Sequence, residues 1–593
     1  MRTASALLVL GSLSCSQVAS GQDAVSTFES IGLAWAVAAG AEDNECAVSY
    51  RRAGDAGFRE GYPLWFDSRD GGYRGSLVHL TPGTTYEVEL RLSSGESARL
   101  TARTWTEDPP IAKTVVLPEH SAEPLEITEG GSAGGYVLYT HAPGAGATIN
   151  VANQADAAIS VRASYVILRG LTVRGASRHG VRLYDVTDVI IEECDISGWG
   201  RIESDGWGEN SNMGIYSREP SLARVVVQRN RIHDPRSDSN SWGEIRPKCA
   251  GAARCHPEGP QAVGFVNSAG NHVIRSNDIW GDDDHYFNDA IGAGSNFSFE
   301  GFPNRDSDIY ANRISHAWDD GIEAEGANAN VRIWGNFIDR TYVKIAIAGT
   351  SVGPLYVFRN VAARSSRDDV VISDDSDRGV FLKAGGETRG GTFYGGGRTY
   401  VFHNTVLQPA GPSGSTYELG CSTGVADSGG TMVNLITRNN ILHHYRRTGT
   451  SLDDDSVSPT NDWDWDLYSG GVEGAPGQER NGIRGVPVYD PVHGDGWYTL
   501  DPSSPGFGDG IPLSGFNDDF AGKGPDRGAH EAGARRMEFG VDAHRSTGAW
   551  PRTGWRRHPY GGDRGPTSDG GSGGATGTGD RRSGAGNDGS PSH

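Results

Sequence analysis

Leu171, Cys194, Asn230, Asn277, Asn312, Asn336, Asn360, Asn404 and Asn440 occupy one slot of a recurring pattern, which narrows the possible folds more than any other feature. The clearest copies read V-x-x-x-x-N-x-I, as in Val225…Asn230-Arg-Ile232 and Val331…Asn336-Phe-Ile338. Successive slots lie 23, 36, 47, 35, 24, 24, 44 and 36 residues apart, as if a coil of 23–24 residues sometimes carries an inserted loop. A period in this range signals a solenoid. The copies are short β-branched runs without a long 3.6-residue periodicity, so each coil is built of strands rather than helices. Asn tolerates the left-handed turn conformation, and stacked Asn side chains can hydrogen-bond to one another as a ladder.

Composition agrees with a turn-rich β protein large enough for a long core: 593 residues, 86 of them Gly, with 22% charged. The net charge of −22 argues against nucleic acid or an anionic membrane surface as partner. No segment after the N-terminus approaches membrane-spanning length. Residues 1–21 have the form of a secretory signal: Met1-Arg2, an apolar run from Ala4 to Leu13, and Ala19-Ser20-Gly21 as cleavage site. A lipoprotein signal ending at Cys15 is the weaker reading, so the expected location is extracellular. In an oxidising compartment Cys249 and Cys255 suit a local disulfide, while Cys194 reads as buried.

Residues 25–106 carry short alternating strand candidates and the run Leu80-Thr-Pro-Gly83-Thr-Thr-Tyr86-Glu-Val-Glu-Leu90. This resembles a fibronectin type III domain, which implies a small β-sandwich acting as a spacer. The repeat itself resembles the right-handed parallel β-helix of the pectate-lyase-like superfamily. The expected fold class is therefore all-β: a right-handed parallel β-helix solenoid over residues 110–541, preceded by the sandwich. The run Gly515 to Glu531 is expected to cap the solenoid, and the Gly/Ser-rich residues 560–593 to form a disordered tail. The superfamily holds lyases, hydrolases, epimerases, esterases and non-catalytic adhesins. Neither the Asn-Thr-Asp, Gly-His-Gly and Arg-Ile-Lys set of polygalacturonases nor an Asp-Pro-His-Asp signature of alginate epimerases is present.

Chemistry is expected around Trp318-Asp319-Asp320-Gly321-Ile322-Glu323-Ala324-Glu325-Gly326, where four carboxylates crowd one short strand. In a parallel β-helix equivalent residues stack ~4.8 Å apart, so Asp289 of the preceding coil should neighbour Asp320. Strict counting puts Lys344 in the Asp320 position of the next coil; a one-residue slip, favoured by the alternation of Val343, Ile345 and Ile347, still leaves it beside the acids. Lys383 lies one coil further. Asp289, Asp320, Glu323 and Glu325 are the expected metal ligands, with Ca²⁺ suited to such an oxygen set. Lys344, Asp320, Glu323 and His285 are the catalytic candidates, the last because an imidazole can serve as acid or base near neutral pH. Glu325, Tyr286, His256, Phe299 and Lys383 are candidates for binding substrate, the aromatic residues by stacking on sugar faces. Asp before Gly is also a common turn pair, so the aspartates have a structural reading as well.

Three functions fit these residues. The first is a polysaccharide lyase that removes the C-5 proton of a uronic acid beside a metal-neutralised carboxylate, with Lys344 or His285 as base. The second is an inverting glycoside hydrolase working with two of Asp320, Glu323 and Glu325. The third is a non-catalytic carbohydrate-binding or adhesive protein. The expected partner is a polysaccharide, and the expected state a monomer.

Overall fold

The computed structural model describes residues 21–244, 256–366, 379–407, 421, 423–427, 430–444, 449–492, 494 and 496–547. Residues 1–20 of the expected signal, Cys249, Cys255 and the Gly/Ser-rich tail lie outside them, whereas Gly21 already belongs to the first strand. Among the described residues Cys46, Cys194 and Cys421 are free and buried, as expected for Cys194.

The fold is the expected all-β one, a right-handed parallel β-helix whose coils run from Ile111 to Arg484. Each turn adds strands to parallel ladders. One sheet of twelve strands includes Val225-containing Ala223–Gln228, Asp308–Tyr310, Val331–Trp334 and Leu355–Phe358. A second ladder stacks His179–Leu183, Met213–Ser217, Gln261–Phe265 and Ile291–Gly292. It continues through the end of Arg313–Glu323, the end of Phe337–Ala346, and Val380–Lys383. Inward Val, Ile and Leu side chains fill a single continuous core from Ile127 to Trp463. Among the described residues no helix is long and apolar enough to cross a membrane.

The Asn slots form the ladder their spacing suggests. Asn336 Oδ1 accepts from the N–H and side-chain amide of Asn312, both at 3.0 Å, and Asn336 Nδ2 donates to Asn360 Oδ1 at 2.9 Å. The same bonds link Asn230 to Asn277, Asn277 to Asn312, Asn360 to Asn404, and Asn404 to Asn440. Cys194 begins the series as a backbone donor to Asn230, and Asp466 ends it as acceptor for Asn440. The left-handed residue of the turn is not the Asn but the one before it: Arg229, Ser276, Ala311, Gly335, Arg359 and His403 all have φ between 53° and 61°. That twist turns the following Asn side chain inward along the stack, where its amide replaces missing ladder partners.

Seven antiparallel strands from Gly21–Ser26 to Ser97–Arg103 form the N-terminal sandwich. Its Tyr86 hydroxyl accepts from the Thr81 N–H at 2.8 Å, at the corner made by Pro82-Gly83. The sandwich is docked on the twelve-strand sheet, away from the ladder carrying Asp320. Asp308 and Arg332, almost wholly buried, pair at 2.8 Å, while Ser30 donates to Asp308 and Arg332 to Ser76. Arg275 joins Glu107 and Tyr310, and the Tyr310 hydroxyl donates to Glu29. These polar contacts fasten the sandwich to the coils.

The stretch beyond the last coil does more than close the end. Arg527 reaches the carbonyls of Asp466 and Asn481, Ala529 donates to Thr405 Oγ1, and Gly540 donates to the Ala311 carbonyl. It thus runs back along the flank of the coils, tying the Asn turns together.

Candidate functional site

Backbone pairing sets the acidic cluster. Ile291 pairs with Ile322 and Gly292 with Glu323, which puts Asp289 beside Asp320 in one column. A Cβ on Gly292 would lie 2.6 Å from that of Glu323, so the bare glycine makes room for the glutamate. On the next coil Asp320 pairs with Val343 and Ala317 with Thr341, so the Asp320 strand has one extra residue in between. This bulge breaks the period-2 alternation. Asp319 and Asp320, which would otherwise face opposite ways, converge on one site.

The result is two groups of carboxylates sharing Asp320. One oxygen from each of Asp289, Asp319 and Asp320 lies within 4.8 Å of the others, and the same holds for Asp320, Glu323 and Glu325. Burial, then the Asp319 charge, raises Asp320 well above the usual carboxylate range, and Asp289 is raised to about 6 by the same two causes. Glu323 is also raised well above that range, by burial and by Asp289 and Glu325. Burial raises Glu325 too, against the opposing pull of Lys383. Asp319 differs. Burial would raise it, but the His256 imidazole and Lys383 outweigh that, and the carboxyl is lowered. His256 Nε2 stands 2.7 Å from Asp319 Oδ2, and against the partial desolvation of its ring the imidazole is pushed up to about 10 by that carboxylate. Trp242 packs its ring against His256 at 5.2 Å.

The amine at the cluster is Lys383, not Lys344. Glu323, Ala346 and Lys383 occupy one column on successive coils. Over the small Ala346, Lys383 Nζ reaches Asp320 Oδ2 at 3.1 Å and Glu325 Oε1 at 3.3 Å. Those carboxylates overcome the burial penalty and raise its pKa well above the ordinary lysine value. Lys344 is wholly buried beside Gly321 of the neighbouring strand. Its Nζ donates to the Thr341 carbonyl at 2.6 Å and to Ser365 Oγ at 3.0 Å, and burial lowers its pKa. The expected slip of one residue is real, but it carries Lys344 away from the acids.

Gln261 Nε2 and Asn288 Nδ2 both donate to Asp289 Oδ2, at 2.6 and 2.7 Å. Their own oxygens, Gln261 Oε1 and Asn288 Oδ1, are buried with no donor, as is Asp320 Oδ1. Buried acceptors left in this state are costly, and a cation would satisfy them. The oxygen-only set suits Ca²⁺ rather than Zn²⁺, which prefers nitrogen and sulfur.

The remaining candidates stand around the cluster. His285 pairs with Asp282 at 2.8 Å on its own loop. Tyr286 stacks on Trp318 at 4.4 Å, and its N–H donates to Asp238. Phe299, 49% exposed, lies against Tyr394 on a hairpin of Glu387–Arg389 and Thr392–Tyr394. That hairpin and the loop at 296–302 wall one end of the strand column, with Asn296 donating to Glu323 Oε1. Trp242 and His256 wall the other. Sequence reasoning noted Asp319 but left it out of the site because the bulge is invisible in the alternation. Trp242, Asn288 and Asn296 carried no signal.

A family model described as right handed beta helix region matches residues 157–361. The matched span includes all five carboxylates and stops short of Lys383. No curated protein matches the chain. Among solved structures it is similar to the crystal structure of pectate lyase Pel9A, at 13% identity and a TM-score of 0.34, over 71% of this chain and 86% of that one. A likeness of that extent says nothing about chemistry.

Proposed function

We propose that the protein is a polysaccharide lyase that cleaves uronic-acid-containing glycan by β-elimination with the help of a divalent cation. The observation that carries the reading is the pair of buried carboxylate groups sharing Asp320, with acceptor oxygens of Asp320, Gln261 and Asn288 that lack donors. Asp289, Asp319, Asp320, Glu323 and Glu325 would hold the ion. A bound Ca²⁺ would neutralise the C-5 carboxylate of the sugar and so acidify the C-5 proton.

The chain's own residues supply the rest. Lys383, ion-paired with Asp320 and Glu325, is the amine that would take the C-5 proton, a role open to it only when those carboxylates no longer hold its own proton. The electrons of the C-5–H bond form the C-4–C-5 double bond, and the C-4–O bond breaks. His256, protonated against Asp319 with a side chain 53% exposed, is placed to give the leaving oxygen its proton. The alternative of an inverting hydrolase is less well served. Inversion needs carboxyl groups ~6.5–9.5 Å apart to admit a water, whereas oxygens of these groups approach within 4.8 Å.

The test is to incubate the protein with uronate and neutral polysaccharides, with and without chelator, reading ultraviolet absorbance of unsaturated uronate together with reducing ends. A lyase gives both signals, and chelator removes both. Reducing ends without absorbance would sink the reading in favour of hydrolysis.

A further inference from the structure

The amide ladder ends on a different residue from the one that builds it. Asn440 is its last asparagine. The next rung is Asp466, wholly buried, whose Oδ1 accepts from the Asn440 N–H at 2.7 Å and from Asn440 Nδ2 at 2.8 Å. An asparagine oxygen would accept equally well, so the ladder does not account for a carboxyl group here.

Glu479, 9% exposed, stands against it. The Asp466 N–H donates to Glu479 Oε2 at 3.2 Å, and the two carboxyl groups are hydrogen-bonded to each other. A Cβ on Gly482 would lie 2.0 Å from Glu479 Oε2, so the glycine makes room for this arrangement. No backbone or amide donor reaches Asp466 Oδ2 or Glu479 Oε1. An ionised carboxylate accepts and cannot donate, so two carboxyl groups bond to each other only through a proton.

The surroundings offer no counter-charge in its place. Among the described residues no lysine or arginine forms an ion pair with either group. Arg527 directs its N–H groups to the carbonyls of Asp466 and Asn481 and to Asp509. Asp464, held by the N–H and side-chain amide of Asn481, adds negative charge, and Arg484 acts on the Tyr468 hydroxyl. Burial, then the Asp466 charge, raises Glu479 to about 10, and burial raises Asp466 as well.

We propose that a proton shared by Asp466 and Glu479 is a structural part of the fold, a latch that closes the C-terminal end of the solenoid and opens when the proton leaves. The pair sits where three pieces of chain meet. The Asp466 carbonyl accepts from the Ile483 N–H at 2.8 Å, and the Glu479 N–H donates to the Trp463 carbonyl at 2.7 Å. Arg527 fastens the returning C-terminal stretch to the same Asp466 carbonyl. With both carboxyl groups ionised, two buried like charges repel at this joint. The last coil and the stretch laid over the Asn turns then come loose, while the earlier coils keep their own rungs.

Glu479 has a folded pKa above its unfolded value of ~4.3. The stability it contributes is therefore complete below pH ~4.3 and is lost as pH rises toward about 10. In that window closing the latch takes up one proton, so each pH unit lowers the closing equilibrium by up to about tenfold.

The experiment is hydrogen exchange of the full chain at stepped pH, from about 5 to about 9, with chelator present. Exchange is read by mass spectrometry and corrected for its intrinsic dependence on pH. Wild type is compared with Glu479→Gln and Asp466→Asn, in each of which an amide N–H replaces the shared proton at every pH. Expected is protection over residues 463–485 that falls by up to about tenfold per pH unit in wild type and stays level in both variants. Peptides around Asn312 should not change in any of the three proteins. If one variant does not fold, the other carries the comparison. Equal pH dependence in wild type and variants, or protection falling alike along the whole solenoid, overturns the latch. A second arm adds calcium in place of chelator. Protection over 463–485 that calcium raises in wild type alone would put a cation rather than a proton between the carboxyl groups, and overturns it too.

Discussion

Replacing Asn336 by Ala removes one rung from the middle of the amide ladder, and the cost can be worked bond by bond. The side chain is wholly buried and makes four hydrogen bonds. It accepts from the Asn312 N–H and from Asn312 Nδ2, and it donates to the Ile309 carbonyl and to Asn360 Oδ1. In the variant the Asn312 N–H loses its acceptor with no water to replace it. Asn312 Nδ2 still has the Ile274 carbonyl, and Asn360 Oδ1 still has the Asn336 N–H. One fully orphaned buried donor costs about 1–3 kcal/mol and the three weakened groups add a fraction each, so the expected loss is about 2–4 kcal/mol. The assay is urea unfolding followed by far-ultraviolet circular dichroism, comparing midpoints at equal slope. Asn336→Asp should do no better, because a carboxylate accepts but cannot donate to Asn360. Asp466→Asn should be nearly neutral, since at the ladder's end Asp466 is used by Asn440 only as an acceptor. A loss below about 1 kcal/mol for Asn336→Ala would refute the view that the ladder holds the coils together.

Calcium should raise the melting temperature of the wild type and not that of Asp320→Asn, the gain reaching about 2.7 kcal/mol at a hundredfold excess over Kd. Equal shifts in both proteins would place the ion elsewhere. Lys383→Met should abolish turnover and change calcium affinity, because it removes the cation that competes for Asp320 and Glu325, whereas Lys344→Met should lower stability with calcium affinity unchanged. Calorimetric calcium titration separates the two. Asp308→Ala leaves the Arg332 guanidinium buried and unpaired under the sandwich, and is expected to cost about 3–5 kcal/mol in thermal or urea unfolding. A change within experimental error would mean that the sandwich is held by other contacts. His272, wholly buried and an acceptor for the Val225 N–H, is pushed down to about 3 by burial. Its folded pKa is below the unfolded value of ~6.5, so the stability it contributes is complete above pH ~6.5 and is lost as pH falls toward ~3. His272→Gln should flatten the acid limb of stability against pH in that window, read from urea midpoints at stepped pH.

The repeat by itself determined the coil and its stacking partner. Asn at a constant offset from β-branched residues can be satisfied on every coil only by a parallel solenoid, because only there does each amide meet its copy one strand spacing away. Hence Asp289 and Asp320 could be paired across 31 residues from spacing alone, and the ladder agrees. Glu323 and Glu325 were legible for the same reason. What the spacing could not carry was any local departure from period 2. The extra residue between Ala317 and Asp320 is a bulge, and a bulge leaves no mark in the pattern of apolar and polar residues. That one irregularity brings Asp319 into the cluster and directs Lys344 into the interior. The choice of Lys383 also belonged to the tertiary structure. A lysine two coils away can reach the acids only because the residue between it and Glu323 in the column is the small Ala346, and which residue fills that gap depends on the register after an insertion of unknown path. Column neighbours follow from repeat length, a local property of the chain. The direction in which a side chain finally points follows from strand pairing on both sides, which only the assembled solenoid decides.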